Sequence, residues 1–137
     1  MLRLTPCSAD EPALRSALLS AGLPLEDLDE ACACYFGAGG AFGGFVGAGS
    51  DRLLRSIVVP EAARGGGIGS QIVRSIAELA RADGAERLWL LTTDAVDFFE
   101  RLGWIATERS AAPEAIKTTR QFASICPASA TLMVRDL

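Results

Sequence analysis

The chain changes its hydrophobic period once in a way that constrains its topology. Residues 52–59, "RLLRSIVV", form a strand-like apolar run. From Ile68 the spacing turns helical: Ile72, Val73, Ile76, Leu79 and Ala80 share one face, with Gln71, Arg74, Glu78 and Arg81 on the other. Asp83 and Gly84 end that helix, and "RLWLLT", 87–92, is a continuous apolar run, as expected of a strand covered on both faces. A strand, a helix and a strand in this order make a right-handed crossover, so strands 52–59 and 87–92 should lie parallel in one sheet.

The turn between the first strand and the helix carries chemistry. "ARGGGIGSQIV", 63–73, places Gly65, Gly66, Gly67 and Gly69 around the start of the helix. Free backbone N–H groups, a helix dipole of roughly half a positive charge and missing Cβ atoms together make a phosphate cradle. The lysine of G-x-x-x-x-G-K-[ST] is absent, and G-x-G-x-x-G read from Gly65 meets Ser70, so neither familiar nucleotide motif applies. Taken alone, such a glycine cluster also fits a flexible surface loop.

Size and charge narrow the classes. With 137 residues, half of them hydrophobic, one domain spanning 1–137 is expected, with a single core. A net charge of −4 argues against nonspecific nucleic-acid binding. No run approaches the roughly 20 apolar residues of a membrane helix, and Arg3 and Pro6 interrupt any signal-peptide core, so a cytoplasmic chain with no membrane partner is expected. Cys7, Cys32, Cys34 and Cys126 are too few and too irregular for a disulfide framework. With no histidine, the C-x-C pair is a weak zinc signal, so no metal is expected and the thiols read as buried.

Around the crossover, residues 2–5 alternate like a first strand, and Ser8 with Glu11 suggests a capping box opening a helix over 12–22, closed by Gly22. Residues 24–31 suggest a second short helix. Strands at about 31–37, 41–48 and 52–59, separated by glycine-rich turns, form an antiparallel meander. Asp94 and Asp97 can cap a helix over 95–102 that stops at Gly103; a strand at 104–108, a helix at 113–124 and a last strand at 130–136 complete the pattern.

Arg64 with Gly67 and Gly69 spells R-x-x-G-x-G directly after "SIVVPEAA", and "LLTTDAVDFFERLGW" follows in the expected order. Here the chain resembles the GCN5-related N-acetyltransferases (GNAT), strongly over roughly 50–105 and by topology elsewhere. The resemblance implies an α/β (α+β) GNAT fold: a central mixed sheet of about six to seven strands, an antiparallel meander, parallel splayed strands 4 and 5, and flanking helices. It implies acetyl-coenzyme A (acetyl-CoA) as cosubstrate and the amine of a small molecule as acceptor. By the same resemblance, a bulge parts strand 52–59 from 87–92 and the pantetheine arm pairs there with the backbone of Ile57, Val58 and Val59. The N–H of Val59 is then the donor to the thioester oxygen. Gly65, Gly66, Gly67, Ile68, Gly69 and Ser70 meet the pyrophosphate, Arg64 adds a charge-assisted contact, and Phe98 and Phe99 complete the coenzyme site. Phe99 stands where the family's thiolate-protonating tyrosine stands in F-Y-x-x-x-G-F. Tyr35, the one tyrosine, and Trp104 read as core aromatics. The amine's proton is left to a carboxylate, to Cys126 or to water.

The final segment, "TTRQFASICPASATLM", taken with "LLTT" and "FFERLGW", resembles the arsenic-resistance N-acetyltransferase branch. That resemblance implies an arsinothricin- or phosphinothricin-like amino acid, whose two anionic ends need cations or hydroxyls. Arg55, Lys117, Thr118, Arg120 and Ser129 are the candidates, although charges in such places are ordinarily solvated. Two other functions stay open: a non-catalytic acetyl-CoA-binding regulatory module, and a cysteine-based arsenite binder using Cys126 with Cys32 or Cys34. A homodimer burying a glycine-rich edge or face is also expected.

Overall fold

The computed structural model describes residues 3–125 and 127–137; the start of the expected strand at 2–5, and every reading placed on Cys126, lie outside the described residues. The elements in chain order are β1 (Thr5–Cys7), α1 (Pro12–Ser20), β2 (Ala33–Ala38), β3 (Ala41–Val46), β4 (Asp51–Val58), α2 (Ile68–Ala82), β5 (Arg87–Thr92), α3 (Val96–Arg101), β6 (Ile105–Thr107), α4 (Glu114–Lys117) and β7 (Thr131–Asp136). The seven strands form one mixed sheet in the order β1-β2-β3-β4-β5-β7-β6. The pair β4 and β5 is parallel, as the crossover requires, and every other neighbouring pair is antiparallel. Among the described residues no helix is long and apolar enough to cross a membrane.

Alternation sorts the strand residues onto two covered faces. Phe45, Leu54, Leu88, Leu90 and Met133 pack under α2 and α3, with Ile72, Val73 and Ile76 wholly buried. On the opposite face, Leu14 and Leu18 of α1 cover Tyr35, Phe42 and Val58, and Ile116 of α4 covers Val46, Leu53, Trp89 and Leu132. At about 2 kcal/mol for each buried aliphatic side chain, Ile72, Val73 and Ile76 alone outweigh the cost of the glycine-rich start of α2.

Local signals at helix C-termini hold. Each of α1, α2 and α3 ends with a glycine, Gly22, Gly84 and Gly103, at positive φ. Each is followed by an N–H bonded five residues back: Leu23 to Leu18, Ala85 to Ala80 and Trp104 to Phe99.

Other local expectations yield to longer-range bonds. The capping box is not formed. Pro12 forces Glu11 into an extended conformation (φ −58°, ψ 117°), so α1 cannot begin earlier; Glu11 itself caps Ala13 N–H, and Ser8 Oγ accepts from Asp10. No carboxylate caps α3, whose preceding Ala95 N–H donates to Thr92 Oγ1. Residues 26–29 make turns instead of a helix, since the Asp27 carbonyl and carboxylate both accept from Arg55. The expected helix at 113–124 breaks after Lys117. The Thr118 and Thr119 hydroxyls bond back to Glu114 and Ile116, the Arg120 N–H donates to Glu30, and Gln121–Ile125 forms a wider π-type turn.

Two adjacent glycines in β3 show how tightly the sheet is covered. A Cβ on Gly43 would meet only side-chain atoms, Ile57 Cδ1 at 2.8 Å and Ile72 Cγ2 at 3.0 Å, whereas a Cβ on Gly44 would press on the Cys34 carbonyl oxygen. Gly44→Ala is therefore expected to lower stability by about 3 kcal/mol and Gly43→Ala by about 1 kcal/mol, because only the latter's neighbours can rotate away. Urea unfolding of the two variants checks the order; equal losses would contradict it.

Candidate active site

The cleft originates in β4. Its pairing with β5 runs through Asp51↔Arg87, Arg52↔Leu88 and Leu53↔Trp89 and goes no further. Against β3, Val58 faces Phe42 but Arg55 faces Gly44, so two steps on β3 match three on β4: one extra residue, a β-bulge. Ser56 absorbs it at φ 59°. The bulge reverses the alternation, so Leu54 and Ile57 pack toward α2 while Val58 packs toward α1. Between the parted strands lies a cleft of about 530 Å³, walled by residues 54–59 on one side and 90–92 on the other. Ile57, Val58, Val59, Arg64, Gly69, Phe98 and Phe99, all expected coenzyme contacts, line it together.

At one end of the cleft the chain turns into α2. Gly65 (φ 87°) and Gly67 (φ 78°) sit in the left-handed region, and a Cβ on either would meet nothing within 4 Å. Gly67 is the N-cap of α2 and supplies no side chain to the first-turn amides. That leaves an uncapped helix start with open space before it, which suits a phosphate. Gly69 is packed instead: a Cβ there would lie 3.4 Å from the Phe98 ring. The exposed Arg64 folds back and donates from Nε to the Val59 carbonyl at 3.0 Å, joining the glycine loop to the end of β4.

Arg55 behaves differently from a surface cation. Its side chain and that of Asp27 are both 0% exposed. Nη1 donates to Asp27 Oδ2 at 2.5 Å and to the Asp27 carbonyl at 3.2 Å, Nη2 donates to Oδ1 at 2.8 Å, and Nε donates to Ser56 Oγ at 3.0 Å. Its guanidinium carbon also lies 5.6 Å from the centre of the Tyr35 ring. Tyr35 is core, as read from the sequence, and its hydroxyl donates to the Leu28 carbonyl at 2.8 Å. Burial pushes the phenol up to about 12; the Arg55 cation opposes this, and Asp27, Glu30 and Asp29 add to it.

Phe99 is buried, stacked edge-on against Phe98 at 5.0 Å and Trp104 at 5.7 Å, while Phe98 leans toward Gly69. Lys117, Thr118, Arg120 and Ser129 are exposed and lie outside the cleft lining. Arg120 is 3.8 Å from Asp29, and Thr118 bonds back within its own helix. Cys32 and Cys34 are exposed free thiols, and partial burial, followed by Asp83, pushes the Cys34 thiol up. Among the described residues no group of three or more His, Cys, Asp or Glu is placed to hold a metal ion. Residues not anticipated in the cleft include Leu23, Ser56, Thr92 and Asp94. Asp27, the partner of Arg55, was also missed, although an arginine inside "LLRSIVV" calls for a carboxylate and residues 26–30 hold four.

The fold that carries this cleft has counterparts among known proteins. The model of the acetyltransferase (GNAT) family matches residues 9–104, and the chain belongs to that family. Among solved structures it is similar to Rv2747 from Mycobacterium tuberculosis in complex with CoA and NLQ, at TM-score 0.79 and 19% identity, over 99% of each chain. It is similar to a GNAT family acetyltransferase from Elizabethkingia anophelis with acetyl-CoA bound, at TM-score 0.71 and 16% identity, over 98% of this chain and 97% of that one. It also matches N-acetylglutamate synthase from Neisseria gonorrhoeae complexed with coenzyme A and N-acetyl-glutamate, at TM-score 0.72 and 19% identity, over 100% of this chain but 36% of that one. At these identities the likeness shows the fold. No curated protein sequence matches the chain significantly.

Because Tyr35 is the sole tyrosine, its titration can be followed by tyrosinate absorbance without interference. The expected midpoint is about 12, above the ordinary 10.0. Since the folded value is the raised one, the stability carried by the neutral phenol is intact below pH 10 and lost as pH rises toward 12. A midpoint near the ordinary value would contradict the buried hydroxyl.

Proposed function

We propose that the chain is a single-domain N-acetyltransferase that moves the acetyl group of acetyl-CoA to the amine of a small molecule. The observation that carries this reading is the cleft itself: unpaired edges of β4 and β5 running toward an uncapped, glycine-lined helix start. The open space at Gly65 and Gly67 fits a pyrophosphate, and the apolar walls fit a pantetheine arm. When bound, acetyl-CoA supplies an activated acetyl thioester. In this reading Gly65, Gly66, Gly67, Ile68, Gly69 and Ser70 hold the phosphates, and Ile57, Val58 and Val59 offer backbone groups to the arm. The Val59 N–H faces the charge that develops on the thioester oxygen, and Phe98 and Phe99 close the side of the cleft. Arg64 serves by bracing the loop against Val59.

For the acceptor we propose an α-amino acid, with arsinothricin- and phosphinothricin-like glutamate analogues first. Support comes from the resemblance of the final segment and from the N-acetyl-glutamate bound by the similar synthase. With Arg55 engaged by Asp27, the anionic ends would fall to Lys117, Thr118, Arg120 and Ser129. A cytoplasmic homodimer is the assembly that we propose, supported by the open β6 edge, where Ile105 is 67% exposed. One observation favours a second reading, coenzyme binding without transfer: Phe99 offers no hydroxyl where the family keeps its acid.

Thiol release from acetyl-CoA, measured over a panel of amino acids that includes glutamate, phosphinothricin and arsinothricin, is the deciding assay. Turnover with one of them supports the first reading; calorimetric coenzyme binding without release on any acceptor supports the second. Gly67→Val, a substitution at positive φ costing about 1–2 kcal/mol of stability, is expected to weaken coenzyme A binding at least tenfold, about 1.4 kcal/mol, in a protein that still folds. Unchanged affinity sinks the pyrophosphate assignment. Phe99→Tyr is expected to raise kcat if departure of the thiolate limits the wild type, with the gain lost at high pH as the new phenol ionises.

A further inference from the structure

We propose that Asp27, Arg55 and Ser56 form a clamp that sets the β4 bulge, making Asp27 and Arg55 positioning residues for the coenzyme arm; this rests on the acetyl-CoA reading above. Stability alone does not call for such a pair, since well-packed apolar residues replace buried ion pairs at little or no cost. What the pair does locally is more specific. Four of the five guanidinium N–H groups are committed, three of them to Asp27 and the fourth to Ser56 Oγ.

Ser56 is the residue that needs holding. Apart from Cys32, it is the non-glycine at positive φ among the described residues, and such a conformation persists only where its surroundings impose it. Its hydroxyl accepts the Nε–H of Arg55. Arg55 and Ser56 both line the cleft, directly before the 57–59 backbone proposed to meet the arm.

The clamp also spans two parts of the molecule. Asp27 belongs to the α1–β2 connection, whose Leu23 lines the cleft and whose Asp29 and Glu30 hold Arg120. The shape of β4 at the cleft is therefore tied to a segment more than 20 residues away in sequence. A shift of that segment passes to Ser56 through a rigid, bidentate pair.

The test separates the arm from the phosphates. Calorimetry compares coenzyme A with its fragment 3′-phosphoadenosine 5′-diphosphate, which keeps the phosphates and lacks pantetheine. Two variants of the full chain are used: Asp27→Asn, which breaks the charge pair, and Ser56→Ala, which removes only the hydroxyl and leaves a side chain that still has to be held at positive φ. Both are expected to bind coenzyme A about tenfold more weakly while holding the fragment within about twofold of wild type. If Asp27→Asn does not fold, Ser56→Ala decides alone. Wild-type affinity for coenzyme A in Ser56→Ala overturns the clamp, and so does an equal loss for both probes, which marks a general loss of structure. A wild-type protein that binds neither probe overturns the acetyl-CoA reading and takes the clamp with it.

Discussion

The parting of β4 from β5 is the constraint on which the rest of the molecule turns. Parallel strands paired to their ends would satisfy each other's backbone groups and leave no room between them. One additional residue at Ser56 ends the ladder after three positions and bends β4 away. It also exchanges the faces of the residues that follow, so that Ile57 reaches the α2 core and Val58 the α1 core. A bulge anchored on both sides of the sheet is part of the packing and cannot slide along the strand. The cleft is consequently as rigid as the core that makes it.

The position of α2 follows from the same packing. Gly43 lets Ile72 and Ile76 approach β3 to a distance that a side chain there would contest. The helix thus lies close to the sheet, and its first turn opens beside the end of β4, where Arg64 reaches back to the Val59 carbonyl. Glycine therefore works in two senses here. In β3 its missing Cβ permits close packing, and at the start of α2 it leaves space that packing does not fill.

Much of this was legible in the sequence wherever the determining chemistry is local. The change of period at Ile68 gave α2 and β5 with their parallel relation, and Gly22, Gly84 and Gly103 ended three helices where expected, because a left-handed C-terminal residue is a local requirement. The failures share a cause. Residues 24–31 and 113–124 have helical propensity, but Asp27 is claimed by Arg55 and the Arg120 N–H by Glu30, partners 28 and 90 residues away. The capping box failed for a local reason that the sequence did contain, the extended conformation imposed ahead of Pro12. Arginine in an apolar strand announced a buried carboxylate without saying which of four. Nothing in the sequence marks a serine for positive φ, so the exact seat of the bulge became visible only with the fold.

Proton bookkeeping bears on both ends of the proposed transfer. A chain with no histidine, whose single phenol is buried and engaged at the Leu28 carbonyl, offers neither an imidazole nor a free phenol in the cleft walls described. An ε-amine, with a pKa of about 10.4, is less than about 0.1% neutral at pH 7 and would need a strong base. The α-amine of a free amino acid, held more basic than a peptide's N-terminus by its own adjacent carboxylate, is likewise mostly protonated at pH 7 and must lose its proton through water to bulk. On the other side of the reaction, a thiol with a pKa of about 8.5 leaves as thiolate far more readily than an alkoxide, so an acid at position 99 is an aid rather than a necessity. With no histidine in the chain and no tyrosine at position 99, the harder of the two proton transfers is therefore the one at the amine, and it is the acceptor's own basicity that this site leaves uncompensated.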